Sequence, residues 1–256
     1  MFASPHSGVY YPADFKPSAR LNIHAIREGE DGLVDMLVAR GPEVGVPLIT
    51  GEAGRAYVDL NRAAEDLDPS LVDGASGAPS ARAAAGLGVL PRLTAGGRAL
   101  YDRRLSLEEA HRRLALWHAP YHAALAGLIH AARDRHGRAV LIDWHSMPEA
   151  AARPLRGGRP FEIILGDRHG TSCGGALTAH LKAAFEAGGW RVGLNTPFAG
   201  GFTTVAWGRP AEGLHAVQVE INRGLYLTDG GPAVGFDRCR AVISRVIEGL
   251  ARAVPV

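Results

Sequence analysis

The stretch Ala139–Met147, AVLIDWHSM, constrains the fold more than any other part of the chain. Ala139 to Asp143 is almost wholly apolar and carries β-branched residues, the way a strand buried on both faces reads. Polar residues follow at once: Asp143, His145 and Ser146. Open α/β sheets bind their ligands at the carboxyl ends of strands, so a histidine just past such a strand stands where chemistry usually happens. Two other segments have the same form, Phe2–Gly8 (FASPHSG) and Ala216–Arg223 (AVQVEINR). One strand-end histidine alone reads equally well as a structural residue. A His, a His and a Glu at three strand ends together point to a metal hydrolase.

The rest of the chain supports an α/β sheet protein. Its 256 residues, 46% hydrophobic and 21% charged, are enough for one large domain, and no repeat or domain boundary interrupts residues 1–256. The pattern predicts strands at Val44–Thr50, Arg55–Leu60, Phe161–Leu165, Trp190–Leu194 and Leu214–Ile221, besides a stubby one at Met1–Ser4. Helices are predicted over residues 21–40, Leu105–His136, Gly174–Gly188 and Gly235–Ala253. Ser106 and Glu109 form a capping box for the second of these, and Pro120 should kink it. Residues 63–98 are rich in Gly, Ala, Ser and Pro and read as loops over a site, with Gly86–Arg92 their one apolar knot. Gly200-Gly201 followed by Thr203 and Thr204 reads as a mobile or closely approached loop. Strands alternating with helices predict a mixed or mostly parallel sheet.

Composition excludes several roles. The net charge is +2 with no long basic run, which speaks against nucleic acid as a partner. No run of about 18 apolar residues exists, so no membrane span is expected. The N-terminus lacks a signal-peptide pattern, and a reduced, cytoplasmic setting is expected. Cys173 and Cys239 lie in unrelated contexts and form neither a disulfide framework nor a CxxC site.

A catalytic zinc takes about three protein ligands from His, Asp and Glu and keeps one position open. His6 and His145 are the leading candidates, with Asp31 the third by position and Asp35 and Glu30 as alternatives. Zinc is the expected ion, another divalent metal the alternative. Glu220, ending an apolar strand, suits the general base, or else a salt bridge to Arg223 or another arginine. Asp143 either orients a ligand imidazole or points to the opposite side of its strand. His118 and His122 are four residues apart on one helix face, as metal ligands can be, but lack the glutamate of an HExxH motif. Arg55, Arg62, Arg209 and Arg223 gather at strand ends, and guanidinium forks there favour carboxylate-bearing substrates. Some of the four are expected to be plain surface or ion-pair residues.

SPHSGVYYP, YVDLNR, GLGVLPR, HAPYH, DWHS, the GD…SC pair, NTPFAGGFTT and GRPAEGLHAVQVEINRGLY, in this order, resemble the N-formylglutamate amidohydrolase family, over roughly residues 4 to 227. The resemblance implies a zinc-carboxypeptidase-like fold: a three-layer α/β/α sandwich around a mixed, mostly parallel sheet. DLNR, Asp59–Arg62, looks like the Asn-Arg element that holds a substrate carboxylate. DWHS looks like the strand with the later metal histidine, and Glu220 looks like the base. Carboxypeptidases pair their first histidine with a glutamate three residues on, whereas Val9 follows His6 here, so the second ligand must come from elsewhere. An Asp-Thr-Asp-Trp type segment of the family corresponds to Glu28–Gly32, with Asp31 the nearest match. The implied activity is hydrolysis of N-formyl-L-glutamate to formate and glutamate, late in histidine breakdown. His6, Asp31 and His145 would hold the metal. Asn61 and Arg62, with Arg55, Arg209 and Thr203, would hold the substrate. A hydrolase of another N-acyl amino acid or small peptide, and a non-catalytic carboxylate binder, are the rival readings. The oligomeric state is left open.

Overall fold

A computed structural model describes residues 1–154, 157–228 and 231–253. In chain order its elements are β1 (Phe2–Ser4), α1 (Ile23–Arg27), α2 (Val34–Leu37), α3 (Arg40–Glu43), β2 (Leu48–Thr50), α4 (Ala81–Ala84), α5 (Leu107–Arg113), α6 (Ala119–His136), β3 (Ala139–Met147), β4 (Ile163–Gly166), α7 (Gly175–Ala187), β5 (Val192–Leu194), α8 (Phe202–Trp207), β6 (Leu214–Asn222), the short strands β7 (Leu227–Thr228) and β8 (Gly231–Pro232), and α9 (Phe236–Ala253). The chain divides into two compact units.

The first unit, Met1–Ser4, Asp31–Ile49 and Leu125–Val256, holds a six-stranded sheet in the order β2-β1-β3-β6-β4-β5. β1 runs parallel to β3, β3 to β6 and β4 to β5, while β4 is antiparallel to β6, so the sheet is mixed and mostly parallel, with helices flanking it. β3 extends past its apolar run to Met147. The cause is β6, which pairs with it residue for residue from Ala139↔Leu214 to Met147↔Asn222. His145 is therefore a member of the ladder rather than a residue beyond it. The core gathers Trp144, Val217, Val219 and Ile221 from the strands with Leu181 and Phe185 of α7. α9 adds Val242, Ile243, Val246, Ile247 and Leu250, all buried as their spacing predicts. Each such side chain contributes about 1.5–3 kcal/mol of hydrophobic stabilisation.

The second unit, Pro5–Glu30 and Thr50–Ala124, is mostly irregular and packs around a buried arginine. Arg113 is 0% exposed, stacks 4.2 Å from the Tyr57 ring centroid, and donates to Tyr101 Oη at 2.8 Å and Glu109 Oε1 at 2.6 Å.

Several elements differ from the sequence expectation, each for a local reason. Residues 21–40 hold two short helices, α1 and α2, and the first residue of α3, not one helix. Asn22 caps α1, accepting from Ala25 N at 2.9 Å, but Leu33 sits in the left-handed region at φ 64°, which no continuous helix admits. The strand expected from Val44 starts only at Leu48, after left-handed Gly45 and after Pro47, which has no N–H for a ladder. Arg55–Leu60 is a turn, not a strand: Tyr57 N and Val58 N both donate to Gly54 O, and the apolar side chains are buried without a ladder. The strands expected at Phe161–Leu165 and Trp190–Leu194 begin two residues late, at Ile163 and Val192. In the expected loop 200–204, a helix, α8, starts at Phe202. The long helix starts as predicted, with Ser106 Oγ accepting from Glu109 N at 3.1 Å. A π-helical turn, Leu114–His118, then separates α5 from α6 just before Pro120, whose ring nitrogen has no hydrogen to give Leu116 O.

Candidate active site

β3 and β6 bring four polar side chains to adjoining positions of the sheet. Asp143 is in register with Gln218, and His145 with Glu220. Residues two apart on a strand share a face, so Asp143 lies on the same side as His145. The structure joins them, with Asp143 Oδ2 3.0 Å from His145 Nε2. The other ring nitrogen, Nδ1, lies 2.9 Å from Asp31 Oδ2. Burial works against a charged ring here. Asp143 and then Asp31 outweigh it and hold the His145 pKa well above the ordinary imidazole range. Glu220 is 5% exposed, and its Oε1 accepts from Gln218 Nε2 at 2.6 Å. Gln218 in turn accepts from Gly201 N at 2.7 Å, which ties the start of α8 to this strand end.

Asp31 is fixed by two further groups. Ser146 Oγ donates to its Oδ1 at 2.8 Å, and Arg223 Nη2 to the same oxygen at 3.1 Å. Arg223 Nε also donates to Ser146 Oγ at 2.8 Å. Of the alternatives to Asp31, Glu30 is engaged by Tyr11 Oη and Arg27 Nε, each at 2.7 Å, and Asp35 is a half-buried residue of α2.

In the second unit Asp59 is the hub. Its Oδ1 lies 2.7 Å from His6 Nε2 and accepts from Asn61 N at 2.9 Å, while Oδ2 accepts from Arg55 Nε at 3.0 Å. Burial again opposes the charge. Arg55, His6 and Arg62 outweigh it and hold the carboxyl well below the usual carboxylate range. Arg62 is anchored through Nε to Leu87 O at 3.0 Å and through Nη1 to Asn61 O at 2.8 Å. Leu87 N donates to Arg82 O at 2.8 Å, so the backbone of one residue, Leu87, links the Arg62 side chain to the Arg82 backbone. Arg82 feels the cluster: desolvation, then the like charges of Arg62 and Arg55, lower its pKa. Among the described residues no third candidate ligand joins His118 and His122. Their Nε2 atoms meet Arg62 O and Leu60 O, each at 2.9 Å, and so brace the DLNR turn.

His6, Asp31 and His145, all buried, form a group able to hold a metal ion, their ligand atoms lying within 4.8 Å of one another. Two imidazoles and a carboxylate are the donor set of a catalytic zinc or a similar divalent ion. Each imidazole also has a carboxylate on Nε2, Asp59 for His6 and Asp143 for His145. That is the usual outer partner of a ligand histidine and would leave Nδ1 to meet an ion.

The structure does not bring every expected residue to this end of the sheet. Arg209 bridges to Leu214, at the opposite end of β6 from Glu220, and is occupied with Ala206 O and Glu212. Thr203 is wholly buried in α8, the helix whose start Gly201 N ties to Gln218. Sequence reading missed the role of Ser146, whose hydroxyl binds a residue 115 positions away, and missed Arg82, which lies in an aperiodic stretch.

Buried imidazoles backed by carboxylates, with a glutamate beside one of them at a strand end of a mixed α/β sheet, are the equipment of an amide-bond hydrolase. The N-formylglutamate amidohydrolase family model matches residues 1–227. The N-formylglutamate deformylase of Pseudomonas aeruginosa is 32% identical over 215 residues, 81% of this chain and 76% of that protein. The deformylase of Pseudomonas putida is 32% identical over 193 residues, 74% of this chain and 67% of that protein. The crystal structure of N-formylglutamate amidohydrolase from Ralstonia eutropha JMP134 superposes with a TM-score of 0.91 at 33% identity, covering 98% of this chain and 91% of that one. A gene product of Agrobacterium tumefaciens, 18% identical over 98% of this chain and 90% of that one, shares the fold with a TM-score of 0.64. The chain belongs to the N-formylglutamate amidohydrolase family.

Proposed function

We propose that the protein is a metal-dependent amidohydrolase that cleaves N-formyl-L-glutamate to formate and L-glutamate, late in histidine breakdown. The observation that carries this reading is the buried His6, Asp31 and His145 group, with Glu220 in register beside His145. The names of the Pseudomonas and Ralstonia relatives support the substrate.

His6, Asp31 and His145 would hold the ion, which supplies Lewis acidity toward the formyl carbonyl and the attacking water. Glu220 takes the proton from that water and passes it to the departing glutamate nitrogen. Gln218 fixes the orientation of its carboxylate through Oε1. Asp59 and Asp143 hold the two imidazoles in the tautomer that presents Nδ1. Arg62, with Asn61, Arg55 and Arg82, provides guanidinium forks for the two carboxylates of the substrate. The like charges of Arg62 and Arg55 act on Arg82, with Asp59 opposing them, and positive charge of this kind suits a dianion. Arg209, at the far end of β6 from Glu220, takes no part in this scheme.

The test is a panel of N-formyl and N-acetyl derivatives of glutamate and alanine on zinc-loaded protein, with formate or acetate release as readout. N-formyl-L-glutamate should be turned over best, with kcat/KM falling when the side-chain carboxylate is removed. Preference for N-acetylglutamate or N-formylalanine, or no release from any substrate, would overturn the assignment.

A further inference from the structure

Asp31 is held by more than its position in the chain. A carboxylate oxygen has room for about two hydrogen bonds, and Oδ1 of Asp31 receives two, from Ser146 Oγ at 2.8 Å and Arg223 Nη2 at 3.1 Å. The two donors are themselves joined, Arg223 Nε to Ser146 Oγ at 2.8 Å. Ser146 directly follows His145 in β3, and Arg223 directly follows β6, the strand that carries Glu220. The backbone at Arg223 is also set, because Asn222 Oδ1 accepts from Gly224 N at 2.9 Å and caps the turn there. The other oxygen, Oδ2, is the one beside His145 Nδ1. Asp31 comes from the stretch between α1 and α2, where Leu33 at φ 64° interrupts the helical path. That stretch belongs to no strand, and its aspartate is held by Ser146 of β3 and by Arg223 just past β6.

We infer that Ser146 and Arg223 form a clamp that occupies one oxygen of Asp31 and confines it to a single ligand oxygen, so that metal affinity depends on the clamp acting through Asp31. The inference rests on the metal reading of His6, Asp31 and His145. Ser146 and Arg223 are positioning residues: neither need touch the ion. A two-oxygen aspartate would take up a coordination position that a hydrolase must keep open, and the clamp forbids it by using Oδ1 elsewhere. Partners that orient a ligand in this way typically change metal affinity 10–100-fold when removed.

The experiment is a double-mutant cycle on zinc affinity, measured by competition with a chromogenic chelator on parent, Ser146→Ala, Asp31→Ala and the double variant. Ser146→Ala should weaken zinc binding roughly 10–100-fold in the parent and produce no further loss in the Asp31→Ala background. Arg223→Lys, which keeps the charge but loses the two-nitrogen fork, should behave like Ser146→Ala and serves if that variant folds poorly. Thermal unfolding of the metal-free forms gives the structural effect of each change separately. Parental affinity in both Ser146→Ala and Arg223→Lys overturns the clamp, as does an equal loss with and without Asp31. A parent that binds no zinc or other divalent ion overturns the metal reading itself, which is a different result from either.

Discussion

At the scale of single residues, the two histidines of the candidate metal group are backed alike. Each has Nε2 against an aspartate, Asp59 for His6 at 2.7 Å and Asp143 for His145 at 3.0 Å. A carboxylate there fixes the ring and raises the basicity of the nitrogen that faces a metal. Asp59→Asn and Asp143→Asn should therefore each weaken zinc binding about 10–100-fold, read by chelator competition. Unchanged affinity in either variant would reduce that aspartate to a structural partner. His6, His145 and Glu220 were legible in the sequence because each follows a short apolar run. Asp31 was harder to read, since its place is set by Ser146 and Arg223, residues 115 and 192 positions away. Nothing local marks that dependence. The same limit explains Arg209, which sits in a polar cluster near a strand but at its amino end. Composition around an arginine does not reveal which end of the strand it occupies.

At the scale of elements, periodicity succeeded where burial follows one face and failed where it does not. α9 was read correctly from its apolar stripe, and the start of α5 from its cap. Ser106 is the clearest instance, and Ser106→Ala should cost about 1 kcal/mol, seen as a lower midpoint in urea unfolding with the slope unchanged. A midpoint equal to the parent would mean the cap contributes nothing. Residues 21–40 imitated a helix because Leu33, Val34, Leu37 and Val38 have helical spacing, yet Leu33 lies outside the helical region of the backbone. Arg55–Leu60 imitated a strand because Tyr57, Val58 and Leu60 are buried. Burial alone does not require a ladder when turns satisfy the backbone. The histidine pair on the long helix is a further lesson at this scale. His118 and His122 have metal spacing, but the carbonyls of Arg62 and Leu60 take their Nε2 atoms.

At the scale of the whole molecule, the alternation of strands and helices gave the fold class, and the β3–β6 pair placed His145 and Glu220 side by side. The strand order was not legible, because nothing in a strand's own composition says that β6 lies between β3 and β4. No helix among the described residues is long and apolar enough to cross a membrane. The proposed chemistry needs both the ion and the carboxylate of Glu220, and one substitution separates them. Glu220→Gln keeps the side chain's shape and its hydrogen-bonding reach toward Gln218 while removing the base. Formate release from N-formyl-L-glutamate, measured beside zinc content in the parent and in Glu220→Gln, is the most direct test. The predicted result is parental zinc content with kcat lower by roughly 10²–10⁴-fold. Turnover of Glu220→Gln at the parental rate would contradict the assignment of Glu220 as the base.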